Sequence, residues 1–361
     1  MALDHYVTLG RSGLRVSPLC LGAMTFGEDL GWGSSVEESR QIMDHYIAAG
    51  GNFIDTANFY TKSHSEQIIG DHIGRDPAKR DRLVIATKFS GNLYPGDPNG
   101  GGSGRKSLLN ACEHSLRRLQ TDYIDLYWLH NWDVHTPMDE TLAALEDLVR
   151  SGKVRYIGVS DTPAWKVAQA NVTAEFRGWS RFIGLQIEYS LLERSVEQEL
   201  VPMAQELELG ITPWSPLKSG LLSGKYTREN AADAKTDRAA FMAHLLNETT
   251  YQLVDDLATI AQAHDTTVAR VALAWVRTRP GVSSTIIGAR RLSQLDDNLR
   301  SLDITLTAEE LTRLDALTKP SFGFPQNMQA MFPAIHNGGT SVNGVQAPPS
   351  RFVLGEGDKP Y

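Results

Sequence analysis

Only two cysteines, Cys20 and Cys112, occur in 361 residues, and both fall in apolar surroundings. That excludes a disulfide-built scaffold and favours two buried thiols. Positive charge is also short: 35 lysines and arginines against 43 aspartates and glutamates leave a formal net charge of -8. This balance gives no support to a nucleic-acid or membrane-surface role, although a local basic pocket can still hold an anion. No apolar run is long enough to span a bilayer, and residues 1–10 have no basic segment leading into an apolar one. A cytoplasmic location is the expectation.

Several motifs are missing as well. Residues 22–27 (GAMTFG) follow a strand-like run but lack the glycine spacing that lets a backbone turn approach a pyrophosphate. Residues 101–107 (GGSGRKS) fail as a phosphate loop, because Arg105 stands where glycine is needed and no strand leads into them. A flexible loop is the better reading there. Closely spaced histidine pairs are absent, which argues against a metal-dependent barrel hydrolase.

What is present is alternation. Short β-branched or apolar runs recur along the chain, each followed by an amphipathic stretch, in eight units without a break in composition. Near-continuous apolar strands separated by helices imply a parallel sheet covered on both faces, and eight units suit a closed (β/α)8 barrel. Residues 6–16 read as an N-terminal hairpin ahead of the first barrel strand. One barrel domain is expected over residues 1–320. Residues 321–361 form a C-terminal tail without periodicity, expected over the barrel mouth as a shaper of the substrate pocket.

Chemistry in such barrels sits at the C-terminal ends of the strands. Read in order, those ends carry Gly22, Met24 and Thr25, then Asp55 and Tyr60, then Lys88, His130, Ser160 with Asp161, Gln186, Trp214, and finally Gly288 with Arg290. Taken singly, Asp55 reads equally as a turn former, Tyr60 as a loop cover, Lys88 as a solvated charge and His130 as a core histidine. Four such coincidences at neighbouring strand ends are a poorer account than one site.

These segments resemble the aldo-keto reductase superfamily, and within it the branch of the potassium-channel β subunits. The resemblance is carried by residues 51–60 (GNFIDTANFY), 85–88 (IATK), 122–130 (DYIDLYWLH), 152–160 (GKVRYIGVS), 186–190 (QIEYS), 214–217 (WSPL) and 287–290 (IGAR), in order from about Thr8 to about Leu317. It implies an NADPH-dependent reductase of aldehydes or ketones. A phenol is a poor acid near neutrality, and Lys88, held by Asp55, is expected to make Tyr60 a better proton donor, while His130 polarises the carbonyl. By resemblance Tyr60 is the general acid, Lys88 and Asp55 tune it, and His130 orients the substrate. The same four residues are compatible with oxidation of a secondary alcohol by NADP+, or with an NADPH-binding regulatory subunit that turns over slowly.

The resemblance also implies an extended dinucleotide across the mouth, touching Gly22, Met24, Thr25 and Asp55. Trp214 stands where the family usually has tyrosine or phenylalanine and is expected to stack on the nicotinamide ring. Ser160, Asp161 and Gln186 match positions that bond the carboxamide, with Asp161 in place of the usual asparagine. Ser215, Leu217, Ser219, Gly224 and Lys225 lie in the loop expected to close over the pyrophosphate. Arg290, helped by Arg291, suits a 2′-phosphate, with solvated surface charge as the alternative. Gln294 and Asn298, one helical turn apart, are expected to face the adenine. For a small carbonyl substrate the expected wall is Phe26, Trp32, Phe89 and Trp132, with no metal required.

Overall fold

In the computed structural model the described residues are 1–226, 228, 245–355 and 357–359. They form two compact units, Met1–Thr318 and Lys319–Tyr361.

The first unit is the expected barrel. A hairpin pairs β1 (Val7–Thr8) with β2 (Arg15–Val16). Eight parallel strands follow: β3 (Leu19–Gly22), β4 (Phe53–Asp55), β5 (Val84–Phe89), β6 (Ile124–Leu129), β7 (Val154–Ser160), β8 (Phe182–Glu188), β9 (Gly210–Trp214) and β10 (Thr285–Gly288). They pair in chain order, with β10 beside β3. Between β9 and β10 the circle closes through a parallel bridge from Ile211 to Val282 and the bond of Ser283 N–H to Ile211 O at 2.9 Å. Helices lie between successive strands, for example Val36–Ala48, Arg105–Leu119, Met138–Arg150 and Val268–Arg277.

Strand parity sorts the core into two layers. Cys20, Phe53, Val84, Ala86, Leu126, Trp128 and Ile286 face inward and form an interior cluster. The residues that alternate with them, among them Leu21, Ile54, Ile85, Tyr127, Leu129 and Ile287, face outward and meet the helices. The hairpin plugs the interior at the N-terminal ends of the strands. Leu9, Leu14 and Val16 join the inner cluster, and Arg11 N–H donates to Glu208 O at 2.8 Å. Gly10 makes the approach possible: its φ is +56°, and a Cβ there would lie 2.3 Å from Ile183 O.

Trp128 fills the centre of the barrel. A Cβ at Gly158 would come within 2.3 Å of its ring, and one at Gly184 within 2.9 Å, so two glycines make room for one indole. Removing a side chain of this size from a closed core costs about 3–5 kcal/mol. Phe26 and Phe89 are both fully buried in the outer layer. The expectation that they line a substrate pocket is therefore corrected. Phe89 follows Lys88 by one residue, so parity turns it to the helices, where it packs on Tyr127 with centroids 4.8 Å apart.

Among its described residues the second unit, for which no periodicity is legible, has only short elements: a 3-10 turn at Gln326–Met331, a helix at Phe332–Asn337, and a hairpin of Ser341–Val342 with Val345–Gln346. Among the described residues no helix is long and apolar enough to cross a membrane.

Candidate active site

The inward parity that places Trp128 also places polar residues at the strand ends. Asp55 ends β4 in register with Ala86, and Lys88 lies two residues further along β5, in register with Trp128. Both are buried. An isolated ammonium there would be strongly disfavoured, so its partners decide its state. Lys88 Nζ donates to Asp55 Oδ1, to Thr56 O at 2.8 Å and to Tyr60 Oη at 3.1 Å. Asp55 uses its second oxygen to accept from Gln186 Nε2 at 3.1 Å, a contact between residues 131 positions apart. Burial alone would depress the Lys88 ammonium, but Asp55 and Tyr60 outweigh it and hold the group above the ordinary lysine range.

Tyr60 departs from the expectation drawn from charge alone. Burial raises its phenol above the ordinary value, and the opposing pull of Lys88 does not fully offset this. In the resting site the proton therefore stays on Tyr60, and the lysine contact is held ready for a charge not yet formed.

His130 follows the end of β6, with its N–H bonded to Phe89 O at 3.3 Å. Its ring stacks on Phe59 with centroids 5.0 Å apart and meets Tyr60 edge to face at 5.8 Å. Burial, aided by the Lys88 charge, lowers its pKa to about 3, so the imidazole is neutral. Nδ1 is buried without a partner among the described residues. Phe59, absent from the sequence expectations, orients this ring, and Gly91 leaves room for it, since a Cβ there would lie 2.0 Å from Phe59 Cδ1.

The turn after Tyr60 is strained. Thr61, Lys62 and Ser63 have φ of 46°, 56° and 76°, left-handed values that L residues adopt at a cost of about 1–2 kcal/mol each. Side chains fasten it: Thr61 Oγ1 donates to Phe26 O at 2.7 Å, and Ser63 Oγ to Asn58 O at 2.8 Å. A second set of left-handed residues, Ser215, Lys218, Ser219, Gly220 and Gly224, lies in the loop after β9. Strained backbone thus collects at two loops of the mouth, as it does at functional sites generally.

The remaining strand ends form the other side. Ser160 pairs in register with Gln186, and Glu188 with Trp214. Ser160 is buried and its Oγ has no hydrogen-bond partner among the described residues, which leaves this polar atom able to bond a ligand. Asp161 accepts the Trp214 indole N–H on Oδ1 at 3.1 Å. At the junction of β10 and β3, Gly288 sits beside Gly22, and a Cβ added at Gly288 would meet nothing within 4 Å. Met24 is exposed nearby, while Thr25 is buried and ties the strands by donating to Ala289 O at 3.1 Å.

In the loop after β9, Ser215 Oγ accepts from Ser219 N–H at 3.3 Å, Leu217 O accepts from Gly220 N–H at 2.9 Å, and Lys225 is exposed over the Tyr226 ring. Buried Lys218, next in the same loop, pairs with Glu188 at 2.7 Å. Arg290 and Arg291 are exposed and form no ion pair among the described residues. Gln294 and Asn298 fasten the segment that carries them: Gln294 Oε1 accepts from Arg290 N–H at 2.8 Å, and Asn298 Nδ2 donates to Gly288 O at 3.1 Å. Trp132 is half-buried and meets Trp165 edge to face at 5.7 Å, with Lys166 over both rings. Trp165 was not legible as a site residue; Trp32 is half-buried.

The arrangement can protonate and polarise an oxygen at one side of the mouth and receive a polar, anionic ligand at the other. Comparison with known proteins agrees in kind. The chain is 40% identical over 323 residues to an uncharacterized oxidoreductase of Bacillus subtilis, covering 86% of this chain and 95% of that protein. It is 34% identical over 337 residues to a putative aryl-alcohol dehydrogenase of Saccharomyces cerevisiae, covering 90% and 89%. It is also 34% identical over 335 residues to a norsolorinic acid reductase of Aspergillus flavus, covering 90% and 83%. The model of the aldo/keto reductase family matches residues 18–319, every barrel strand included. With that span and this tetrad in place, the chain belongs to the aldo/keto reductase family and is an oxidoreductase acting on carbonyl and alcohol groups.

Proposed function

We propose that the chain interconverts aryl carbonyls and their alcohols at the barrel mouth, with NADPH or NADP+ as cofactor and Tyr60 as general acid–base. The observation that carries the reading is the 3.1 Å contact of Tyr60 Oη with a lysine whose other bonds go to Asp55 and Thr56. When bound, the nicotinamide dinucleotide gives up or accepts the hydride. In the reductive direction His130, neutral and with one N–H to give, donates to the substrate oxygen and polarises it. As charge gathers on that oxygen, Tyr60 passes its proton to it. Lys88 then faces a phenolate across 3.1 Å in a buried setting, where the attraction is far stronger than in water. Burial keeps the proton on the resting phenol, and Lys88 eases its departure. Gln186 and Thr56 keep Asp55 and Lys88 from turning elsewhere.

For the cofactor, the partnerless Ser160 hydroxyl suits the carboxamide and the half-buried Trp214 face suits the ring. Residues 215–225 suit the pyrophosphate, and Arg290 with Arg291 suits a 2′-phosphate, which favours NADPH over NADH. Aryl substrates are proposed because two relatives are named for aryl alcohols and norsolorinic acid, and because Phe59, Trp132 and Trp165 offer aromatic faces beside His130 and Asp161.

Loss of NADPH absorbance with a panel of aryl aldehydes, aryl ketones and aliphatic carbonyls of matched size tests the reading. The wild type is expected to prefer the aryl members. Tyr60→Phe is expected to lower kcat by about 10²–10⁴-fold with NADPH binding intact. No turnover of any carbonyl, or full rate in Tyr60→Phe, would sink the proposal.

A further inference from the structure

The pair Asp161–Trp214 is not explained by the proton chemistry. Trp214 Nε1 donates to Asp161 Oδ1 at 3.1 Å, joining the ends of β7 and β9 across the end of β8. Asp161 itself is held in a left-handed conformation with φ 39°, and its N–H bonds to Gln186 O at 3.3 Å. Backbone strain and a cross-strand side-chain bond therefore fix one carboxylate against the edge of one indole. No lysine or arginine forms an ion pair with Asp161 among the described residues, so no direct contact neutralises its charge. Its field reaches the reacting groups: Tyr60 and Lys88 both interact with it electrostatically.

A carboxylate in this place has two consequences. By accepting the indole N–H it sets the plane of the Trp214 ring. By carrying uncancelled charge at the edge of that ring, it distinguishes ligands by the charge they bring to the ring face. The oxidised nicotinamide ring is a cation and the reduced ring is neutral. Resting on the proposal that Trp214 receives the nicotinamide, we propose that Asp161 is a positioning residue that orients Trp214 and makes the site bind oxidised more tightly than reduced cofactor. An amide at position 161 would keep the acceptor for the indole and lose the charge, so the two roles are separable by substitution.

Calorimetric titration of NADP+ and of NADPH into wild type, Asp161→Asn and Trp214→Phe separates them without turnover. Asp161→Asn is expected to raise the ratio of the NADP+ to the NADPH dissociation constant by about tenfold, the low end of what one close opposite charge does to a charged-versus-neutral equilibrium, while NADPH binding changes little. Trp214→Phe keeps the charge and a ring but removes the N–H. It is expected to weaken both forms together, by about three- to tenfold, the usual net worth of one hydrogen bond. An unchanged ratio in Asp161→Asn overturns the charge role, and unchanged affinities in Trp214→Phe overturn the orienting role. Failure of the wild type to bind either form would instead overturn the cofactor reading beneath this proposal. Binding of both forms with an unaltered ratio leaves that reading standing and removes only the role of Asp161.

Discussion

The two sides of the barrel mouth are built on opposite plans. On the side of β4 to β6, the reacting groups are buried or half-buried and mostly engaged: Lys88 has three partners, Asp55 has two, and the His130 ring is clamped by Phe59, with its Nδ1 left without a partner among the described residues. On the side of β7 to β10, Ser160 Oγ is buried without a partner, and Arg290 and Arg291 carry exposed charge with no ion pair among the described residues. The first side is organised before anything binds, so little reorganisation remains for the reaction itself. The second side leaves these groups able to bond a ligand, while left-handed residues, Gln294, Asn298 and the Asp161–Trp214 and Lys218–Glu188 contacts hold its frame in place. Preorganised groups should affect both rate and stability when removed, whereas reserved groups should affect binding alone.

The largest test of that contrast is Lys88→Met. It should lower kcat by about 10²–10⁴-fold and the stability to urea by about 3–5 kcal/mol, because Asp55 is left buried without its counter-charge. Adding Asp55→Asn should restore much of the stability and none of the rate. Recovery of both would mean that the pair is structural only.

His130 gives an intermediate effect that depends on pH. Its folded pKa is lowered to about 3 from the ordinary histidine value of 6.5, so between those values the unfolded chain binds a proton that the folded one refuses. The contribution is whole above pH 6.5 and is lost as pH falls toward 3, at up to about 1.4 kcal/mol per unit. Urea denaturation at pH 6.5 and 5.0 should therefore show the wild type losing about 1–2 kcal/mol more than His130→Gln. Parallel losses in the two proteins would contradict a neutral, buried ring.

Arg290→Ala should have the smallest effect and the most selective. NADPH is expected to bind about 10- to 100-fold more weakly, with NADH binding and the melting temperature unchanged. Equal losses for both cofactors would remove the phosphate role, and a fall in melting temperature would move Arg290 into the preorganised class.

Much of the mouth was legible because period-two parity and strand ends are sequence properties. Asp55, Lys88, Ser160, Gln186 and Trp214 all occupy inward positions at the C-terminal ends of strands. The same parity, applied strictly, turns Phe89 outward, and its aromatic character alone was a poor guide. Other features leave no local trace. The bond of Gln186 to Asp55 spans 131 positions. The left-handed run Thr61 to Ser63 contains no glycine to announce it and is held by bonds to Phe26 and Asn58. Asp161 read as an imperfect asparagine and Trp214 as an imperfect tyrosine until the indole N–H was seen to meet the carboxylate. Two departures from a pattern, each odd alone, are one substitution in chemical terms.

The indole of Trp128, seated over Gly158 and Gly184, makes the depth of the mouth a property of one ring. Lys88 lies in register with it, and the apolar interior packed around it is completed by the hairpin. A smaller residue at position 128 would open a shaft between the two. Water standing in that shaft would screen Lys88, and the mouth would lose its dryness without losing a single reacting group.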